Sequence, residues 1–105
     1  MITLKLMADY DCWPLWWYAG TDAIGNVDPH TLGLTDATLG RLQAWSERYN
    51  SYLDREDPGH SPDPTPAEQE AFEQEGIAIW RVLQHELRGR YQIVYYSERF
   101  KQIRT

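Results

Sequence analysis

The chain has 105 residues, of which 42% are hydrophobic and 25% are charged, and its formal net charge is −6. This length predicts a single domain over residues 1–105, with no apolar run of the roughly 18 to 20 residues that a membrane helix needs and, since Cys12 is the one cysteine, no disulfide framework. The acidic balance disfavours nucleic acid as a partner, because phosphate contacts need Lys and Arg.

The N-terminal residues alternate in polarity. Ile2, Leu4 and Leu6 are apolar, whereas Thr3 and Lys5 between them are polar. A period of two predicts a half-buried first strand. The same stretch lacks the charged start, long apolar core and small-residue cleavage site of a signal peptide, which predicts a cytoplasmic protein.

Residues 9–18 hold three of the five tryptophans and two of the seven tyrosines. Pro14 cannot donate to a sheet ladder, so it interrupts any strand here or lies at an edge. Residues 15–19 predict a second strand, in which Trp16 and Trp17 point to opposite faces. Aromatic residues at this density form either the core of a small domain or a surface that binds a partner.

Apolar residues recur at three- and four-residue steps after residue 36, which predicts a first amphipathic helix. Thr35 or Asp36 is a suitable N-cap. We expect this helix to end near Leu53 or Asp54, before a proline-rich connection. The apolar stripe consists of Leu39, Leu42, Trp45, Tyr49, Tyr52 and Leu53.

A second helix begins at the sequence Thr65-Pro66-Ala67-Glu68, which is a capping box with proline at the first helical position. Gly76 costs about 1 kcal/mol relative to Ala in a helix interior. Its place in the apolar stripe predicts that the first helix packs closely there, under Trp45. The stripe consists of Phe72, Gly76, Ile79, Trp80, Leu83 and Leu87, and Gly89 follows as the C-terminal glycine.

The fold class follows from the order of these elements. Residues 91–97 are rich in β-branched and aromatic side chains and predict the last strand, which residues 98–105 extend or leave frayed. Ile24 and Val27 allow one brief additional strand. The order β-β-α-α-β predicts a two-layer α+β domain, in which a sheet of three or four strands packs against two amphipathic helices. We expect the first and last strands to be neighbours near the middle of the sheet.

Asp9 and Asp11 are the strongest candidates for catalytic chemistry. On an extended segment the two carboxylates would point the same way and bind a metal ion, and Cys12 and His85 would complete a small metal-dependent hydrolase. However, Asp at a strand end is usually a turn residue, and a lone Cys is usually a small buried hydrophobe. We therefore expect no enzymatic activity, no metal and no cofactor.

The aromatic window favours a binding function, because a domain this small cannot bury all of its rings. Exposed aromatic residues beside carboxylates are typical of interface anchors, and the acidic surroundings favour a basic protein partner. Two alternatives are a small cluster that covers the sheet edge and a homodimer through the exposed rings. The predicted contact surface comprises Asp9, Asp11, Trp13, Trp16, Trp17 and Asp22, followed by the acidic loop residues Asp54, Glu56 and Asp57.

Several short stretches carry a further signal. They are Asp9-Tyr-Asp-Cys-Trp-Pro-Leu-Trp16, Gly25-Asn-Val-Asp-Pro29, Leu42-Gln-Ala-Trp45 with Tyr49 and Leu53, Asp57-Pro58, and Gly76. Together they resemble a family of small bacterial proteins that includes immunity proteins of toxin–immunity pairs, among them pairs from contact-dependent growth inhibition. The resemblance implies a binding protein that neutralises a cytotoxic domain, with a basic nuclease as the expected toxin. The alternatives are a housekeeping interaction module, which includes the homodimer, and the hydrolase based on Asp9 and Asp11.

Overall fold

The protein has the expected α+β architecture, with a mixed four-stranded sheet and two helices. The computed structural model describes residues 1–51 and 64–105. No helix within those two ranges is long and apolar enough to cross a membrane. The elements are β1 (Ile2–Leu6), β2 (Leu15–Ala19), a 3₁₀ helix (Pro29–Thr31), α1 (Asp36–Asn50), α2 (Pro66–Glu86), β3 (Tyr91–Ser97) and β4 (Gln102–Arg104).

The sheet has the strand order β2-β1-β3-β4. β1 pairs with β3 in parallel and with β2 antiparallel, so the first strand and the strand after α2 are central neighbours, as predicted. Leu4 and Leu6 of β1 are fully buried, and they share the helix-facing side of the sheet with Ile93 and Tyr95. One face of the sheet therefore builds the core with α1 and α2.

The structure corrects two sequence-based expectations about strands. The residues after Ser97 neither fray nor extend β3, because the chain turns with Lys101 at a positive φ of 53° and returns as β4. Ile24 and Val27 form no strand, since only one isolated bridge joins Asn26 to Trp16. Both differences arise from turn geometry, which β propensity does not report.

The helix starts agree with the capping signals. Thr35 caps α1 by accepting a hydrogen bond from the backbone N–H of Thr38, and both bonds of the Thr65–Glu68 capping box are present. α1 ends at Asn50, earlier than predicted, and the expected end at Leu53 or Asp54 lies outside the described residues.

The start of α1 is also bonded to the end of α2. Glu86 Oε1 accepts from the backbone N–H of Thr35 at 2.8 Å, and Oε2 accepts from the hydroxyls of Thr35 and Thr38. Burial alone would raise the pKa of Glu86, but the hydrogen bonds from Thr38 and Thr35 outweigh it and hold the pKa below its ordinary value of 4.5. A carboxylate at this position also stabilises the positive end of the α1 dipole.

α1 packs closely on α2 at Gly76, as predicted, and β3 reaches the same point, which the sequence did not predict. A Cβ at Gly76 would lie 2.6 Å from the Tyr95 hydroxyl and 2.8 Å from Cζ2 of Trp45. The Trp45 ring stacks on Phe72 at 4.5 Å between centroids, and its Nε1 donates to the Phe72 carbonyl at 3.0 Å. The absent side chain thus leaves the space that two aromatic rings occupy.

Beside this contact, Glu73 is a carboxylate buried in the core, and sequence reasoning did not find it. Its Oε1 accepts from the Tyr95 hydroxyl at 2.6 Å, and its Oε2 accepts from the Ser97 hydroxyl. The Ser97 oxygen also accepts from the backbone N–H of Phe100 at 3.1 Å, at the turn into β4. Both carboxylate oxygens are therefore satisfied, which burial of a polar group requires.

We predict that Gly76→Ala destabilises the protein, although Ala is the better helix former. Overpacking costs about 1 to 3 kcal/mol, which exceeds the gain of about 1 kcal/mol from replacing a helical glycine. The matched control is Gly40→Ala in α1, because a Cβ there meets nothing within 4 Å. Thermal unfolding should give a lower Tm for Gly76→Ala and an equal or higher Tm for Gly40→Ala. Equal increases in both variants would contradict the close contact.

We predict that Glu86→Gln costs about 1 kcal/mol of unfolding free energy at pH 7, since it weakens the bonds that cap α1. The folded-state pKa of Glu86 lies below the unfolded value of 4.5, so its contribution is complete above that pH and is lost as the pH falls through the folded pKa. Urea titrations from pH 7 to 3 should show the difference between wild type and variant shrinking. A constant difference would show that the charge of Glu86 plays no part.

Candidate functional site

The structure divides the aromatic window among three environments. Trp16 pairs with Lys5 on the open face of the sheet, whereas Trp17 pairs with Leu4 and packs against the core. The opposite orientation of these two rings is as predicted. Trp13 precedes β2, belongs to neither face, and leaves 45% of its surface exposed. Trp13 is therefore the tryptophan of this window most available to a partner.

The segment before Trp13 is attached to α1 rather than to the sheet. Asn50 accepts from the backbone N–H of Asp11 at 3.1 Å, and Ser46 donates to the Cys12 carbonyl at 3.4 Å. The rings of Tyr10 and Tyr49 approach to 4.6 Å between centroids. The C-terminal half of α1 thus positions the loop, and the two together form the walls of a groove.

Asn26 fixes the backbone on both sides of Pro14. Its Oδ1 accepts from the Trp13 N–H at 2.8 Å, and its Nδ2 donates to the carbonyls of Trp13 at 2.6 Å and Leu15 at 2.8 Å. The His30 ring meets the Trp13 ring edge-on, with 5.5 Å between centroids. These contacts hold an exposed tryptophan in one place, which lowers the entropy that binding would cost.

A groove of about 380 Å³ lies between this loop and α1. Leu39, which is half-buried, supplies apolar surface, and Trp13 and His30 form part of the opposite wall. The volume is within the range of small-molecule and side-chain pockets. The lining consists of Asp11, Cys12, Trp13, Pro14, Asn26, Pro29, His30, Leu39, Leu42, Gln43, Ser46, Glu47 and Asn50.

The groove carries negative charge. Asp11 and Glu47 are in its lining, and none of the lining residues that the structure describes is Lys or Arg. His30 lies close to Asp28, whose Oδ1 accepts from the His30 backbone N–H and lies 2.8 Å from Nδ1. The backbone bond and then the ring bond lower the pKa of Asp28 below its ordinary value of 3.8, so a carboxylate also lies beside His30. This arrangement favours a cationic group as the occupant.

The other predicted contact residues do not converge on this groove. Asp9 is half-buried just before it and accepts from the Tyr10 N–H, and Asp22 is exposed in the turn beyond the opposite end of β2. Of the six residues predicted in the first part of the chain, Asp11 and Trp13 line the groove. Asp54, Glu56 and Asp57 lie outside the described residues.

Asn26, His30 and Glu47 are among the lining residues that the sequence did not place in the predicted contact surface. Glu47 could have been found, because it follows Leu39 and Gln43 at four-residue steps and so shares their side of α1. The sequence identifies Asn26 only as a turn residue. Its role depends on the long-range pairing of residues 25–27 with β2, for which the sequence contains no local signal.

The arrangement gives no support to the hydrolase. The backbone turns at Asp11, where φ is 57°, so Asp9 and Asp11 do not lie on the extended segment that would align them. No group of three metal-ligating side chains occurs in residues 1–51 and 64–105. Cys12 lines the groove, whereas His85 lies on α2 and does not. Cys12 and His85, which would complete the hydrolase, are thus on different parts of the fold.

Comparison with known proteins gives one family match. A family model described as Serratia CdiI immunity protein-like matches residues 2–98. That range contains every residue of the groove lining and extends one residue beyond β3. A comparison with curated proteins returns no match.

We predict that Asn26→Ala loosens the loop that carries Trp13. The substitution removes the acceptor for the Trp13 N–H, and the loss of a bond worth about 1 kcal/mol should speed exchange of that amide by roughly fivefold or more. Hydrogen exchange followed by NMR measures this directly. Gln43→Ala is the control, because it alters the groove but leaves the hydrogen bonds of Asn26 in place. Unchanged exchange at Trp13 would mean that other contacts order the loop.

Proposed function

The chain belongs to the Serratia CdiI immunity protein-like family, and we propose that it binds and neutralises the cognate toxin domain of a contact-dependent growth inhibition system. The family supports the role of an immunity protein. Direct binding of the toxin, a cytoplasmic location in the producing cell and inhibition without catalysis are parts of the proposal.

The acidic groove beside Trp13 is the observation that carries the proposed binding mode. An exposed tryptophan on a backbone held by Asn26 has the character of an interface anchor, since such anchors are large, aromatic and preorganised. Apolar surface from Leu39 lies next to carboxylates from Asp11 and Glu47. A partner that bound here would bury apolar area and meet negative charge in one place.

The charge distribution supports a basic toxin, and we propose a nuclease. Residues 1–80 contain 14 acidic and 4 basic side chains. Nucleases need positive charge to hold phosphate, so an acidic inhibitor is attracted to the surface that binds the substrate. The same acidic surface would repel nucleic acid itself. Inhibition would then consist of occupying that surface or an adjacent one.

Coexpression with the cognate toxin domain, which we expect the gene directly upstream to encode, tests this function. We expect the two proteins to co-purify and the cells to survive expression of the toxin, whereas cells without this chain should die. Raising the salt concentration should lower the association rate more than it raises the dissociation rate, because screening removes long-range attraction first. Surface plasmon resonance with a catalytically inactive toxin measures both rates.

The specificity control is a toxin domain from an unrelated toxin–immunity pair, which should neither bind nor be neutralised. Survival without complex formation would contradict direct neutralisation and would reopen an enzymatic explanation. If the cognate toxin domain neither binds this protein nor is neutralised by it, the proposed function is contradicted.

A further inference from the structure

We propose that the groove beside Trp13 receives an arginine side chain of the toxin domain, with Glu47 as the residue that pairs with its guanidinium. The inference rests on the proposed function, because it identifies the group of the toxin that enters the site. It concerns one side chain and leaves the rest of the interface open.

The charge of Glu47 is the first reason. Three carboxylates on α2 and the C-terminal turn face cations: Glu75 pairs with Arg41, Glu70 with Arg99, and Glu98 with Lys101. Glu47 differs from them, since its carboxylate accepts from the neutral amide of Gln43 at 3.1 Å and has no ion pair among the described residues. Within the described part of the chain, no cation therefore neutralises the negative charge that Glu47 brings to the groove.

The shape of the groove is the second reason. Leu39 offers apolar surface, and the carboxylate of Glu47 offers acceptors. An arginine has the matching structure, with an apolar stem and a planar charged head that carries five N–H donors. A lysine has the same kind of stem but a compact, strongly hydrated charge, and it does not stack on rings as a flat guanidinium does.

Trp13 is the third reason. Cations bind over tryptophan faces better than over other aromatic rings, and arginine is the cation that does so most often in proteins. The hydrogen bonds of the Asn26 side chain hold the Trp13 backbone, and the His30 ring meets the Trp13 ring edge-on. The groove therefore combines a carboxylate for the charge of the guanidinium with an exposed ring on which its plane can stack.

A double-mutant cycle with a catalytically inactive form of the cognate toxin domain tests the inference. Glu47→Gln and Trp13→Ala should each weaken binding by roughly tenfold or more, as central interface residues do. Each arginine and lysine of the toxin is then replaced by alanine in turn. One arginine should couple to Glu47, so that Glu47→Gln has an effect below about twofold once that arginine is absent.

Matched controls lie outside the groove. Tyr18→Ala removes an aromatic ring that is 49% exposed on the open face of the sheet, and Glu70→Gln removes an exposed carboxylate of α2. Neither should change the Kd more than about twofold. Thermal unfolding of all four variants confirms that a loss of binding is not a loss of folding.

The outcomes separate the inference from the function on which it rests. If wild type does not bind the toxin domain, both are overturned. If wild type binds and protects, but Glu47→Gln and Trp13→Ala behave like the controls, only the inference is overturned. Coupling of Glu47 to a lysine, or to no basic residue of the toxin, also overturns it and leaves the immunity function standing.

Discussion

The absence of a side chain at Gly76 is the constraint on which the rest of the structure depends. Because α2 presents no Cβ there, Trp45 of α1 and Tyr95 of β3 reach the same point on its surface. This contact joins both helices and the central part of the sheet in one aromatic cluster. It also fixes the position of α1, and the other side of α1 forms a wall of the groove. A substitution at Gly76 that displaces α1 would therefore also displace the wall of the groove that α1 forms.

The hydrogen bonds of the buried Glu73 restrict how the aromatic rings at Gly76 can be oriented. Hydrophobic packing alone tolerates small shifts of a ring, whereas a carboxylate that accepts from Tyr95 and Ser97 admits few arrangements. Burial, followed by the bond to Glu73, raises the pKa of Tyr95 far above its ordinary value, so the hydroxyl remains a donor at any physiological pH. Through Ser97 the same network reaches the backbone of Phe100 and hence the turn into β4. One polar side chain on α2 thereby orders the edge of the sheet.

Local signals in the sequence predicted a large part of this fold. The Thr65 capping box, the apolar stripe of α2 and the close packing of the first helix at Gly76 each depend on residues a few positions apart or on one helix face, and all three are present. β4 was missed because it depends on the turn at Lys101, where a non-glycine residue adopts a positive φ. The groove was missed because it arises where residues 11–14, 26–30 and 39–50 converge, and no single segment carries the signature of that convergence.

In the proposed complex, the acidic body and the groove act at different stages of recognition. A net charge of −6 attracts any basic protein and so raises encounter rates without choosing among partners. The groove places Glu47 and the ring of Trp13 at fixed positions, so that a correctly placed guanidinium gains both contacts and a misplaced one gains neither. Differences of that kind appear mainly in the dissociation rate. An immunity protein needs both properties, because it must reach its toxin quickly and release it rarely. The aromatic window contributes to the second property through Trp13, while Trp17 packs against the hydrophobic core.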